Sequence, residues 1–216
     1  MKPTLNLLVD LDGTLTDPRE GITRSIAHAL QSLGHEPPPE EELLFAIGPP
    51  LRGSFAHLLR TDDHATIEQA MKYYRDRFGT VGLLENQVYP GIPEMLQALR
   101  ESGARLFLAT AKPHVYATQI LDHFKLSAYF EFVYGSELDG TRQHKAALLK
   151  HLLEIEQIDP ACTTMIGDRI HDFDAARANG CDSLGVGWGY GSATELAAAR
   201  QQCNSPAQVI STLLNR

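Results

Sequence analysis

The strongest constraint on how this chain folds is a rhythm in its apolar residues. Short runs at 5–9, 105–109, 130–134, 163–166 and 183–186 each end in a polar or glycine turn, usually followed by a helical pattern. Runs this short, several of them β-branched or aromatic, suit strands covered on both faces, as in parallel sheets. Between them the apolar spacing becomes helical, as at 92–102 (Met95, Leu96, Leu99) and 145–156 (Leu148, Leu149, Leu152, Leu153). Strand alternating with helix predicts an α/β fold, a doubly wound parallel sheet.

One interval breaks the rhythm. The stretch from the first strand to the second is far too long for a single crossover. Its pattern is helical at 22–33 (Ile22, Ile26, Leu30, Leu33), 40–47, 51–59 and 67–78. Pro18 and Gly21 precede it, and Tyr89-Pro90-Gly91 marks the return. The expectation is a core domain of residues 1–15 and 89–216, with a helical cap domain at 16–88 inserted after the first strand. The 216 residues suit a core with a smaller insertion. Ligands of open α/β sheets bind at the carboxyl ends of the strands, so an insertion leaving from that end is expected over the site.

At that end the chain reads VDLDGTLTD. Asp10 and Asp12 are two apart, so strand alternation lets both face one crevice while Leu11 turns away. Two ionised carboxylates so close repel, and a hard divalent cation such as Mg²⁺ relieves the repulsion. Gly13 permits a sharp turn, and Thr14 offers a hydroxyl. Further polar residues fall just after other strands. Thr110 follows the second strand, where its hydroxyl could donate to an anionic oxygen. Lys145 opens a helix, where its charge opposes the dipole and a bound anion would explain it. In MIGDRIHDFD, Asp168 and Asp172 are four apart and would share a helix face, while Asp174 points elsewhere. Each feature alone has a plainer reading as turn chemistry, surface lysine or helix N-terminal acid. Together they supply a carboxylate nucleophile, a carboxyl for proton transfer, a cation site and groups that neutralise phosphoryl oxygens, which is what phosphoryl transfer through an aspartate requires.

These residues make the chain resemble the haloacid dehalogenase-like phosphatases. Four family motifs are present: DLDGT at 10–14, Thr110 after its strand, Lys145, and GDRIHD at 167–172. The insertion resembles the C1 cap of subfamily I. The stretches AIGPPLRGSF, YPGI, GTRQHK and GVGWGYGS are similar to the phosphoglycolate phosphatase-like and 5′-nucleotidase-like branch. The resemblance implies a Rossmann-like core and a Mg²⁺-dependent phosphatase acting on a small phosphorylated metabolite. Phosphoglycolate is the first expectation and a nucleoside monophosphate the alternative. A phosphomutase would keep the same core motifs; a phosphoacceptor signalling domain is a rival of a different class, against which Asp12 beside Asp10 and the cap argue. By this resemblance Asp10 is the nucleophile and Asp12 the acid and base. Thr110 and Lys145 bind the phosphoryl group. Asp10, the backbone carbonyl of Asp12, and Asp168 hold the metal, with Asp172 orienting that set. Ala111 stands where relatives often have Asn or Ser, which removes one hydrogen bond. Arg52, in the first turn after Gly48-Pro49-Pro50, and Lys112 are expected to meet the non-reacting part of the substrate. Trp188 and Tyr190 are expected in loop packing, or stacked on a base, and His171 at the surface.

Composition narrows the partners. Apolar residues make up 43%, enough for a core, and the net charge of −8 argues against a nucleic-acid polymer. Cys162, Cys181 and Cys203 form no C-x-x-C, which argues against a disulfide framework and fits a reducing cytoplasm. The start, Lys2-Pro3 and a short apolar run, lacks the form of a secretory leader, and no stretch nears the ~18 apolar residues of a membrane span. A cytoplasmic monomer or homodimer is expected.

Overall fold

The computed structural model describes residues 4–214. Lys2 and Pro3, on which the reading of the start rests, lie outside the described residues. The chain forms two compact units, one of residues 18–87 and one of residues 1–17 with 88–216.

In the second unit, β1 (Asn6–Val9) leads to a tight loop and the two-residue strand β2 (Thr16–Asp17). The helical unit contributes α1 (Arg19–Ser32), α2 (Glu40–Leu43), α3 (Leu51–Leu59) and α4 (His64–Arg77). The chain returns through β3 (Gln87–Val88), α5 (Ile92–Glu101), β4 (Arg105–Pro113), α6 (His114–His123), β5 (Phe132–Ser136), α7 (Lys145–Glu156), β6 (Thr163–Gly167), α8 (Ile170–Ala178), β7 (Asp182–Val186), α9 (Ala193–Leu196), β8 (Gln201–Cys203) and α10 (Pro206–Leu214).

Six of these strands form one parallel sheet in the order β5-β4-β1-β6-β7-β8, the expected α/β class. From β1 the chain steps through β4 to β5, then crosses back to β6 and steps away on the other side. The reversal beside β1 is the switch point where doubly wound sheets bind ligands. All four residues of β1 are buried. Leu8, Phe107 and Met165, on neighbouring strands, pack with Leu149, Leu152 and Leu153 of α7 and Ala175 and Ala176 of α8. Right-handed crossovers put α5, on a connection running the other way along the sheet, against the opposite face. It packs with α10 there. Register sets the functional end: Val9 lies opposite both Leu108 and Ile166, so these strands finish side by side.

Several local expectations need correction. The second strand runs to Pro113, not Ala109, with a register shift against β5 between those residues. Thr110 and Lys112 therefore belong to a strand that bulges, as edge-proximal strands do beside sites. The strand expected at 130–134 lies at Phe132–Ser136, because a 3-10 turn over Ser127–Tyr129 takes up the preceding residues. The short edge strand β8 has no apolar alternation in QQC and is set by pairing with β7. In the helical unit the helix expected at 40–47 is one turn, Glu40–Leu43, followed by a 3-10 turn at Leu44–Ala46.

The helical unit has its own core. Phe55 of α3 meets Tyr74 of α4 edge-on, and Tyr74 stacks on Phe78 at 5.2 Å. Glu85 binds both Arg77 and Arg24, closing its end. Among the described residues no helix is long and apolar enough to cross a membrane.

The α7 contact is central to the sheet unit. Leu152 is fully buried in the cluster that includes the strand residues Leu8, Phe107 and Met165. Replacing it by Ala is expected to destabilise the protein by about 3 kcal/mol, since cavity formation adds to lost transfer energy. Urea unfolding followed by tryptophan fluorescence would measure it through Trp188, the chain's one tryptophan.

Candidate active site

The carboxyl ends of β1, β4 and β6 bring together residues far apart in the chain. Asp10 directly follows β1, and its backbone N–H donates to Ile166 O at 2.9 Å, which holds it against β6. The loop after it coils on itself, with Gly13 N–H on Thr16 O and Leu15 N–H on Leu11 O. Gly13 has φ +81° and lies so near Asp168 that a methyl there would stand 2.3 Å from Oδ2. A side chain at that position would be both strained and in collision.

Lys145 begins α7 and is buried. Its Nζ lies 2.8 Å from Asp10 Oδ1 and also donates to Asp172 Oδ1. The anion that a lysine at a helix start requires is thus supplied by the protein itself. Asp172 Oδ2 accepts from Arg169 N–H at 3.0 Å, so this carboxylate also caps α8. Asp168 and Asp172 do not share a helix face as expected. The helix begins only at Ile170, and the two meet because Asp172 reaches back over the turn. Asp174 is turned outward and pairs with Arg177.

Asp12 is buried and paired with Lys112, Nζ to Oδ2 at 2.7 Å. Nothing in the local sequence signalled this pair, because Asp12 lies in the loop after β1 and Lys112 on β4, and sheet register brings them together. Thr110 is buried beside it and accepts the Lys112 N–H at 3.2 Å. Trp188 and Tyr190, expected in loop packing, each bond to a catalytic loop in a way the sequence does not specify. The Trp188 indole N–H donates to Thr14 O at 3.0 Å, and the Tyr190 backbone N–H donates to Asp168 Oδ2 at 2.7 Å. His171 is exposed. Arg52 is in the helical unit, where its guanidinium pairs with Glu68 of α4.

Electrostatics single out this cluster. Among the described residues, four buried carboxylates, Asp10, Asp12, Asp168 and Asp172, face two buried ammoniums, Lys112 and Lys145. The formal surplus is two negative charges. Oxygens of Asp10, Asp168 and Asp172 lie within 4.8 Å of one another. At an effective dielectric of about 20, like charges that close repel by roughly 3.5 kcal/mol or more, a large part of a domain's net stability. Burial pushes Asp168 well above the ordinary carboxylate value, and repulsion from Asp172 and Asp10 adds to it. Burial likewise raises Asp172, against the pull of Lys145. Burial raises Asp12 while Lys112 draws it partly back. Burial alone would lower Lys145, but Asp10 and Asp172 outweigh it and hold the ammonium charged. Asp168 Oδ1 is buried with no hydrogen-bond partner. A hard divalent cation fits this donor set. It would balance the surplus charge and satisfy the orphaned oxygen, and all the side-chain donors are oxygens.

The sequence model of the haloacid dehalogenase-like hydrolases matches residues 7–186, which include every residue of the buried cluster. The chain belongs to this family. A 5′-nucleotidase of Pseudomonas aeruginosa is 50% identical over 193 residues, 89% of this chain and 87% of the relative. The tyrosine-protein kinase PtkA of Mycobacterium tuberculosis is 37% identical over 187 residues, 87% of this chain but 63% of that protein. A phosphoglycolate phosphatase of Neisseria gonorrhoeae is 29% identical over 214 residues, 94% of this chain and 88% of that one. Among solved structures, a predicted phosphatase from Clostridium acetobutylicum matches with a TM-score of 0.94 and 39% identity over 99% of both chains. For this haloacid dehalogenase-like hydrolase, family and fold agree with the sequence resemblance.

The raised carboxyls set a sign for stability. Asp168 and Asp172 hold protons more tightly folded than unfolded, so the cation-free protein loses stability as pH rises from 3.8 through their folded values. The melting temperature in EDTA is expected to be higher at pH 6 than at pH 8. Mg²⁺ should remove most of that difference. Asp168→Asn should raise the EDTA melting temperature at pH 8, because it removes one uncompensated charge. Scanning calorimetry at both pH values, with and without Mg²⁺, checks all three.

Proposed function

We propose that this haloacid dehalogenase-like phosphatase hydrolyses a small phosphate monoester through an aspartyl-phosphate on Asp10, with a nucleoside monophosphate as the favoured substrate class. The observation that carries the chemistry is the pairing of each loop carboxylate with its own buried lysine, Asp10 with Lys145 and Asp12 with Lys112. The substrate class rests on the 50% identity to a protein named 5′-nucleotidase. Phosphoglycolate is the second reading, favoured by the similarity to a phosphoglycolate phosphatase along nearly the whole chain.

In this reading Asp10, the Asp12 carbonyl and Asp168 would hold Mg²⁺, with Asp172 orienting them, and the bound ion would withdraw charge from the phosphoryl oxygens. The chain's own groups do the rest. Thr110 and Lys145 bind the phosphoryl group in line with Asp10. An Asp10 carboxylate oxygen attacks phosphorus as the ester P–O bond breaks, and Asp12 gives its proton to the departing oxygen. Water then attacks phosphorus, Asp12 takes back a proton, and the bond from Asp10 to phosphorus breaks to release inorganic phosphate. The helical unit at 18–87 is proposed as the cap that selects the ester, with Arg52 a contact for its non-reacting part. Lys112 is proposed first as the counter-ion of Asp12, ahead of a substrate contact. The three free cysteines fit a reducing compartment, and the cytoplasm is the proposed location.

The test is phosphate release from a panel of nucleoside monophosphates, phosphoglycolate and sugar phosphates, with Mg²⁺ or EDTA. Release is expected only with Mg²⁺ and to vanish in Asp10→Asn, and the ranking of esters decides the substrate. A single stoichiometric phosphorylation without turnover would instead favour a phosphoacceptor, and isomerised sugar phosphates a mutase.

A second outcome follows from Lys112. Replacing it with Met removes the charge that draws Asp12 down, so the carboxyl should rise further. The pH optimum of kcat is expected to move upward by about one unit, the usual scale for a lost neighbouring charge. A pH–rate profile of Lys112→Met against wild type measures it.

A further inference from the structure

The loop after β7, residues 187–191, is not used by the proposed chemistry, yet it encloses Asp168. A methyl at Gly189 would stand 2.3 Å from Gly13 O and 2.4 Å from Asp168 Oδ2, and one at Gly191 would stand 1.8 Å from Asp168 O. Only bare backbone fits there. Trp188 ties one side of the loop to Thr14 O. Tyr190 makes two bonds in opposite directions. Its backbone N–H donates to Asp168 Oδ2 at 2.7 Å, and its phenol O–H donates to Asp17 Oδ1. Asp17 ends β2, the last residue of the sheet unit before the chain leaves for residues 18–87. Tyr89, just after the chain returns, is half-buried beside the same carboxylate. Burial, with the nearby Asp17 and Asp168 charges, pushes its phenol up and keeps it neutral, against the pull of a hydrogen bond with Tyr190. Asp168 is thereby left with one oxygen fixed by the loop and the other, Oδ1, buried and unpartnered.

We propose that Tyr190 is a positioning residue for the cation site, whose phenol bond to Asp17 pins the loop so that its backbone amide presents Asp168 with Oδ1 ready to bind the ion. The proposal rests on the reading of Asp168 as a cation ligand. A carboxylate held by a fixed donor binds an ion without first losing rotational freedom, and partners of this kind typically change metal affinity 10–100-fold. Tyr190 acts through its own loop, so the lower end of that range applies. The arrangement also connects the strand at the root of the insertion to a ligand of the ion by two hydrogen bonds through one residue.

The test is calorimetric titration of Mg²⁺ into the full chain without substrate, for wild type, Tyr190→Phe, Asp17→Ala, Asp17→Asn, the Tyr190→Phe/Asp17→Ala double variant and Asp168→Asn. Tyr190→Phe and Asp17→Ala are each expected to weaken Mg²⁺ binding about tenfold, with the double variant no weaker than either. Asp17→Asn keeps an acceptor for the phenol and should stay near wild type. In turnover, the Mg²⁺ concentration for half-maximal rate should rise while kcat at saturating Mg²⁺ recovers. If Tyr190→Phe lowers only the melting temperature and leaves Mg²⁺ affinity unchanged, the residue is structural and the proposal falls. If Tyr190→Phe fails to fold, Asp17→Ala tests the same bond from its other end. Asp168→Asn separates the two readings. Mg²⁺ binding that survives this change removes the reading of Asp168 as a ligand, and binding missing from the wild type removes the metal reading itself. Loss in Asp168→Asn without loss in Tyr190→Phe or Asp17→Ala removes only the role of Tyr190.

Discussion

Four carboxylates buried at the ends of parallel strands, with two lysines among the described residues to balance them, impose the condition that the rest of this site answers. Asp10, Asp12, Asp168 and Asp172 cannot all stay ionised in a low-dielectric crevice without help. Each oxygen of Asp172 is taken by a donor, Lys145 or the Arg169 amide, and Asp12 has Lys112. Asp168 is half satisfied, by the Tyr190 amide alone. Asp12 Oδ1 is also buried without a partner, but Asp12 has a lysine on its other oxygen and Asp168 only an amide, so the strain is greatest at Asp168. A protein selected for stability alone would gain by replacing it with a neutral side chain, and keeping it points to a ligand that completes it.

The topology explains how the condition is met. In a doubly wound sheet the central strand has neighbours reached by connections that run in opposite directions. Here β1 lies between β4 and β6, so residues near position 10, near 110 and near 168 finish at one level. The long crossover from β5 brings the start of α7 to the same place and delivers Lys145. None of these segments makes the site alone. The apolar packing of Leu8, Phe107 and Met165 against α7 and α8 holds the strands in register, and with them the polar groups at their ends.

Relatives similar over most of this chain carry names as different as 5′-nucleotidase, phosphoglycolate phosphatase and tyrosine-protein kinase. Such a spread is expected where a strand-end phosphoryl-transfer site is shared and the choice of substrate is made by other residues. In this chain the helical unit has its own aromatic core and its own ion pairs, including Arg52 with Glu68. It can therefore change its surface without disturbing the carboxylate cluster.

The α/β class, the long helical interruption and the identity of the chemical groups can be read from the residues in order. Those properties are written in local periodicity and in motifs such as DLDGT and GDRIHD, which depend on neighbours within a few residues. The sequence also places Lys145 at a helix start, where a positive charge calls for a counter-ion. Which counter-ion answers it, and that Lys112 turns to Asp12, depends on the packed fold. The same holds for the strand continuing past Thr110 and for Tyr190 reaching both Asp168 and Asp17. Strand register and loop closure set these contacts. A one-residue slip would exchange the faces of a strand and pair each charge differently, so partners far apart in the chain are fixed only when the whole sheet has packed.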